Sequence, residues 1–398
     1  MKKINNHRLL VTLAFSIILV FGVITTLKSQ INPLIQQDYK IDYSQLGFIM
    51  ACYSVGNIVA TFYGGVGIEK FSLKQVLWAG LVICSISLVT ISYINSYYLL
   101  AGVMIILGIG MGILNVSGNS LASIVFTKNK GKMMNIFHLF FGVGGIIAPI
   151  YANHLFDLGF SWEGTYSIGS VLIVFLFLFS LLCKVPEKKG EAKKKETTII
   201  QILKDREVVI FTLMFLMHVG AEIGVGSWLG VYLVDVQART DTEVGFYISL
   251  FYILFTIGRF IASLIVERVG YLRLVIICAV GGIITILLGL IGPSSFAILL
   301  SITGLFISVN FPTMQAAMFE NFSDNISAII GLTLTAGGLG NIIFANWLVG
   351  IINDLVGIRL GYGIFILYLI ILAGLTYSLK AKYIKKEGLI TAKSNSKG

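Results

Sequence analysis

The chain has 398 residues, 57% of them hydrophobic and only 12% charged, with a mean hydropathy of +0.91. A water-soluble domain of that length carries far more polar surface, so the composition excludes one and points to a chain that crosses a bilayer many times. The net charge of +10 is no sign of nucleic acid as a partner, because the Lys and Arg flank apolar runs instead of mixing with aromatics on polar faces.

The first apolar run follows Lys2, Lys3 and Arg8. It resembles a secretory signal, but it is long and shows no small-residue cleavage site, so it reads as an uncleaved span. Runs of spanning length then recur to the end of the chain. They predict twelve helices near 9–28, 45–67, 75–94, 97–126, 133–156, 164–184, 208–233, 244–265, 271–291, 294–319, 327–352 and 360–379. One set of connections holds Lys2, Lys3, Arg8, Lys70, Lys74, Lys128, Lys130, Lys132, the run from Lys184 to Arg206, Arg268, Arg273 and the residues from Lys380 onward. The other set holds only Lys28, Lys40, Arg239 and Arg359. By the positive-inside rule the basic set is cytoplasmic, with both termini inside, in a plasma or inner membrane. The basic, polar segment 185–206 divides the chain into two six-helix bundles, 1–184 and 207–379. The tail 380–398 reads as disordered. Cys52, Cys84, Cys183 and Cys278 stand singly, with no spacing for a disulfide framework or a metal site.

The loop after the second span reads Gly65, Glu69, Lys70, Ser72, Lys74. The loop after the eighth reads Ser263, Glu267, Arg268, Gly270, Arg273, the last base one place later. Small residue, acid, base, small residue thus recur in each half. An acid at a helix end is suited to hold a neighbouring helix terminus, with the bases toward the cytoplasm, and these residues are expected to gate a rocking motion.

Acids inside spans are rare, and Glu222 sits in the middle of the seventh. Such a group faces a cavity or a partner. His218 is one helical turn earlier and shares its face. Gly220, Gly224, Gly226 and Gly230 allow close helix approach around it. Asn115 and Asn119 share a face of the fourth span, and Asn310, Gln315, Asn341 and Asn346 place further amides at bilayer depth. Amides offer the donors and acceptors that sugar hydroxyls need. His138 lies in the fifth span, near its cytoplasmic end. Trp228 and Tyr232 read as either an aromatic belt or a stacking surface. Arg259, the base within the eighth span, is expected to pair with an acid or with helix-end carbonyls near the cytoplasmic loops, as a gate.

The paired loops resemble the signature between the second and third spans of the major facilitator superfamily, G-x-x-x-D-x-x-G-x-[RK], with Glu for Asp in both copies. Asn135, His138, Phe141, Gly142, Gly144 and Pro149 in the fifth span, and Gly220, Glu222, Trp228 and Tyr232 in the seventh, resemble that superfamily's fucose–galactose–glucose–proton symporter branch. The resemblance implies an all-α membrane protein of twelve transmembrane helices in two pseudo-symmetric six-helix bundles. It implies a secondary transporter of a small polar solute such as a sugar, working by alternating access as a monomer, and not an enzyme. The branch couples transport through acids in the first and fourth spans. Here Ser29 and Asn115 stand at those places, so coupling either falls to Glu222 and His218, uses sodium, or is absent. An exporter of drugs or metabolites on the same scaffold is the alternative. No nucleotide-binding, metal-binding or catalytic constellation appears, so no cofactor is expected.

Overall fold

The computed structural model describes residues 6–126, 130–185, 203–322 and 326–395. The regular structure of these residues is helical throughout. The first half holds α1 (Asn6–Tyr39), α2 (Tyr43–Lys70), α3 (Leu73–Ile91), α4 (Tyr97–Val125), α5 (Lys130–Asp157) and α6 (Trp162–Leu181). The second holds α7 (Arg206–Gln237), α8 (Asp241–Val269), α9 (Tyr271–Ile291) and α10 (Ala297–Asn321). Its next crossing is composite: α11 (Ile326–Leu339), a π-helical segment (Gly340–Trp347) and α12 (Leu348–Val356). The short α13 (Ile358–Gly361) and the long α14 (Ile364–Asn395) complete it. Among the described residues, 11 helical stretches are long and apolar enough to cross a membrane. The remaining long helix, α2, has 28 residues, and at 1.5 Å per residue it reaches roughly 42 Å, enough to span as well.

Helix pairing repeats between the halves. In the first, α1 lies on α5, α2 on α4, α3 on α4, and α3 on α6. In the second, α7 lies on α11 and the π segment, α8 on α10, α9 on α10, and α9 on α14. This is the twelve-helix, two-bundle architecture expected. Leucine, isoleucine, valine and phenylalanine fill both bundles, as in the fully buried Leu13, Leu27, Phe137, Phe211 and Phe365.

Asn6 exchanges hydrogen bonds with the backbone of Lys184, which places the start of α1 beside the end of α6. That end of the bundle also carries Lys74, Arg268 and Arg273, and is called the basic face below. The α1–α2 turn lies at the opposite face, where it meets α7 and α12. Hydrogen bonds between the halves cluster from this opposite face to mid-helix. Gln30 donates to the Asp241 carbonyl at 2.8 Å, Asn32 to the Ser227 carbonyl at 3.1 Å, and Ser249 to the Ile146 carbonyl at 3.3 Å. Tyr43 Oη donates to Asp235 at 2.8 Å, and the Tyr43 and Ser44 amides donate to Asp354 at 2.9 and 2.7 Å. Gly230 lets α7 reach the Ser29 carbonyl of α1, where any side chain would overlap backbone. The halves are therefore closed against each other at the face opposite the basic one.

Three sequence expectations change. The first helix does not end at Lys28 but runs through Pro33 to Tyr39, so Lys28 is an intramembrane base and not a loop residue. The lone charge marked an end there, but α2, α4 and α6 pack around this part of α1 and carry it onward. The final helix continues to Asn395, through most of the tail read as disordered. The eleventh crossing is broken by the π segment. The linker expected at 185–206 lies mostly outside the described residues.

Candidate functional site

Glu222 sits on α7 with 15% of its side chain exposed, while His218 beneath it is fully buried. Glu222 Oε2 lies 2.6 Å from His218 Nε2, the contact that helical spacing implies. The second carboxylate oxygen faces α8, where Arg259 Nη2 stands 3.6 Å away. Arg259 is fixed from two further sides. Its Nε donates to the Ser308 carbonyl of α10 at 3.3 Å, and its guanidinium lies 4.5 Å from the centre of the Phe255 ring. Of the two partners expected for Arg259, an acid or helix-end carbonyls near the cytoplasmic loops, the structure brings it to an acid, at the depth of Glu222. An acid paired with a guanidinium and hydrogen-bonded to an imidazole costs far less within a bilayer than a lone charge.

Groups from the first half close on this cluster. Tyr252 of α8 lies within electrostatic reach of Glu222 and beside Thr26 and Ser29 of α1. His138 of α5 is exposed and within electrostatic reach of Arg259, with its ring edge-on to Phe137 at 5.3 Å. The cluster therefore faces the seam between the bundles, where α1 and α5 meet α7 and α8.

Other predicted residues fall elsewhere. Asn119 donates to both the backbone and the side-chain oxygen of Asn115 at 2.9 Å, so the two amides satisfy one another in part. Trp228 is fully buried, and its indole N–H donates to the Ala345 carbonyl at 2.9 Å. It neither anchors at a membrane surface nor offers a stacking face, because α7 is enclosed by the π segment and by Tyr43. Tyr232 is buried against Tyr362. Asn341 and Asn346 join Ser54 of α2 across the seam: Asn346 donates to the Asn341 carbonyl at 2.8 Å and to Ser54 at 3.2 Å. Asn310 is fully buried with neither amide atom bonded to a described residue. Gln315 is half-buried on α10.

Of the proposed gating residues, Lys74 donates to the Cys183 carbonyl at 3.4 Å and lies over the Trp78 ring, so it ties α3 to the end of α6. Glu267 accepts from Tyr271 Oη at 3.1 Å, which links the end of α8 to the start of α9. Arg268 and Arg273 are exposed on the basic face. The surroundings of Gly65 and Glu69 lie outside the described residues. Tyr252, Ser54, Asp354 and Lys28 were not singled out by sequence. A lysine and an aspartate in or beside apolar runs were the available signals.

A cavity of about 460 Å³ opens among α2, α3 and α4, lined by Val59, Tyr63, Gln75 and Ile113 among others, and it shares no residue with the Glu222 cluster.

Comparison with known proteins agrees with this architecture. The glucose/galactose transporter of Brucella abortus biovar 1 (strain 9-941) is 24% identical over 385 residues, covering 90% of this chain and 91% of that protein. The solved nucleoside transporter NupG superposes with a TM-score of 0.74 at 18% identity, over 96% of this chain and 99% of that one. The E. coli fucose:proton symporter FucP superposes with a TM-score of 0.64 at 18% identity, over 94% and 99%. The sequence also matches the Major Facilitator Superfamily over residues 13–343 and 232–392, so the chain is a member of that superfamily.

Proposed function

We propose that the protein is a secondary transporter that moves a small polar solute, a sugar by preference, through the seam between its two halves. The observation that carries this reading is the partly exposed Glu222, held between His218 and Arg259 and facing α1 and α5. A carboxylate so placed accepts hydrogen bonds from two hydroxyls of a solute, while Arg259 and His218 keep its charge tolerable in the bilayer. Tyr252 and His138 supply donors from either side of the seam. The sugar assignment also draws on the similarity to a glucose/galactose transporter.

The basic face is the cytoplasmic one under the positive-inside rule, so the arrangement described here faces inward. The protein works as a monomer in the cell membrane and needs no cofactor. A proton or a sodium ion is the candidate coupling partner.

The test is counterflow in pure proteoliposomes, with labelled glucose, galactose, fucose and uridine at two pH values, with and without sodium. One panel member should exchange. A hydrogen bond to a charged group is worth about 1.5–3 kcal/mol, so Glu222→Gln should slow that exchange by roughly tenfold to a hundredfold. Exchange at the wild-type rate in Glu222→Gln removes the carboxylate from the solute site. Export of cationic drugs with no sugar exchange favours an efflux antiporter instead.

A further inference from the structure

We propose that Lys28 of α1 is the group that carries a coupling proton across the membrane, separately from the Glu222 cluster. The inference rests on the solute-carrier reading above. Lys28, Asn32, Met50, Tyr53 and Tyr166 line a cavity of about 20 Å³ inside the first bundle, room for roughly one water. Lys28 Nζ stands 4.9 Å from the centre of the Tyr53 ring. Among the described residues, no Asp, Glu, His or Arg lines the cavity. The titratable groups that face it are Tyr53 from α2 and Tyr166 from α6, with Cys84 of α3 acting on Tyr53. The α4 side contributes only Met104 and Leu107. Tyrosine and cysteine are neutral near pH 7, so nothing here balances an ammonium.

That is the difference from Glu222, which has the Arg259 guanidinium at 3.6 Å and a hydrogen bond with His218. An ammonium facing only an aromatic ring in a bilayer is costly, and the ring repays a small part of the cost. In the arrangement closed at the face opposite the basic one, the ammonium is therefore held less well than it is in water. One lining residue of the cavity, Asn32, also belongs to the interface between the halves. Asn32 lies one helical turn beyond Lys28 on the same face of α1, and it is clasped by the Ser227 carbonyl of α7 and by Met50. Lys28 is half-buried here, and opening the halves at that face breaks the clasp on Ser227 and widens the access of water to it.

The cycle follows. With the opposite face open, the amine lone pair takes one proton from a hydronium of the outer solution, whose O–H bond breaks to leave water as a new N–H bond forms. With that face closed, the N–H bond breaks and the proton passes to water on the basic side, leaving the neutral amine. The hydroxyls of Tyr53 and Thr25, 3.4 Å apart, lead from the cavity back to α1, where the neighbouring Thr26 lies beside Tyr252. One proton moves per cycle and no other bond changes.

The experiment uses the full chain in proteoliposomes with the voltage clamped and an imposed pH difference, acid outside. The probe is labelled galactose, or whichever panel sugar exchanges fastest. A difference of about one unit sustains at most about a tenfold solute ratio at one proton per solute, because one pH unit and a tenfold concentration ratio are equal in free energy. Wild type should approach that ratio. Lys28→Gln and Lys28→Met should show no accumulation yet exchange labelled sugar at about the wild-type rate. Lys28→His should regain accumulation, with its optimum moved to lower pH because imidazole titrates well below an amine. Accumulation by Lys28→Gln or Lys28→Met equal to wild type overturns the proposal, as does a wild type that accumulates nothing. Loss of exchange in all three variants also overturns it, by making Lys28 a solute ligand. Failure of the solute-site reading shows separately, as normal exchange in Glu222→Gln.

Discussion

Glu222 is one acid between two bases, and its neighbours set what substitution there does. Removing Arg259 leaves the carboxylate with His218 alone, and removing Glu222 leaves a guanidinium held only by the Ser308 carbonyl and Phe255. Breaking a buried pair from one side costs about 3–5 kcal/mol, and the 26% and 15% exposure of these side chains puts the cost at the lower end. Arg259→Gln is therefore expected to lower the melting temperature in detergent more than the double variant Arg259→Gln/Glu222→Gln, while both lose exchange. Additive losses in the double variant mean that the two side chains do not stabilise each other. Glu222 and His218 were legible in the sequence because four residues make one helical turn. Arg259 as their partner was not, since the packing of α8 on α7 leaves no mark in the spacing of either helix. Lys28 was misread for a related reason: a lone charge at the edge of an apolar run looks like the end of a span, and only the helices around α1 show that it is not.

At the level of elements, the entry to α2 is capped from two sources. Its own Asp42 forms a capping box with Gln45. From the other half, Asp354 of α12 accepts from the amides of Tyr43 and Ser44, and from the Ser44 hydroxyl. Acceptance of helix-end amides by a carboxylate is favoured by both hydrogen bonding and the helix dipole. Here the cap exists only while the halves touch at this face, so it acts as a latch on that closure. Each charged hydrogen bond contributes about 1.5–3 kcal/mol, so Asp354→Ala should shift the population toward the form open at this face by at least about tenfold. A cysteine at Ser227, now 2% exposed, reports the change in a background lacking the four native cysteines. Its labelling from outside by an impermeant thiol reagent should speed up in Asp354→Ala. Equal labelling rates would place the energy of closure elsewhere. The twelve helices themselves were readable from hydropathy, because each must satisfy its backbone internally in lipid. The π segment was not, since one extra residue in a turn alters no hydropathy period. It brings Asn346 under Asn341 and turns both toward Ser54.

For the molecule as a whole, the seam between the bundles is both the site and the moving part. Ser54 of α2 and Asn341 of the π segment meet across it at 3.2 Å. Alternating access requires that this contact open and re-form once per turnover. A pair of cysteines there, Ser54→Cys with Asn341→Cys in the cysteine-free background, should cross-link on mild oxidation and stop labelled-sugar exchange. Reduction should restore it. Each single-cysteine variant should keep its exchange under the same oxidant, which separates cross-linking from oxidative damage. Exchange that persists with the cross-link complete would mean that solute crosses without separation of the halves here. Rocking about a central site would then give way to a channel-like path or to motion confined to one bundle. The repeated helix pairing argues against that outcome. Two bundles with the same internal contacts, joined by helix packing and hydrogen bonds that run from one face past mid-helix, are built to move as bodies and not to deform within.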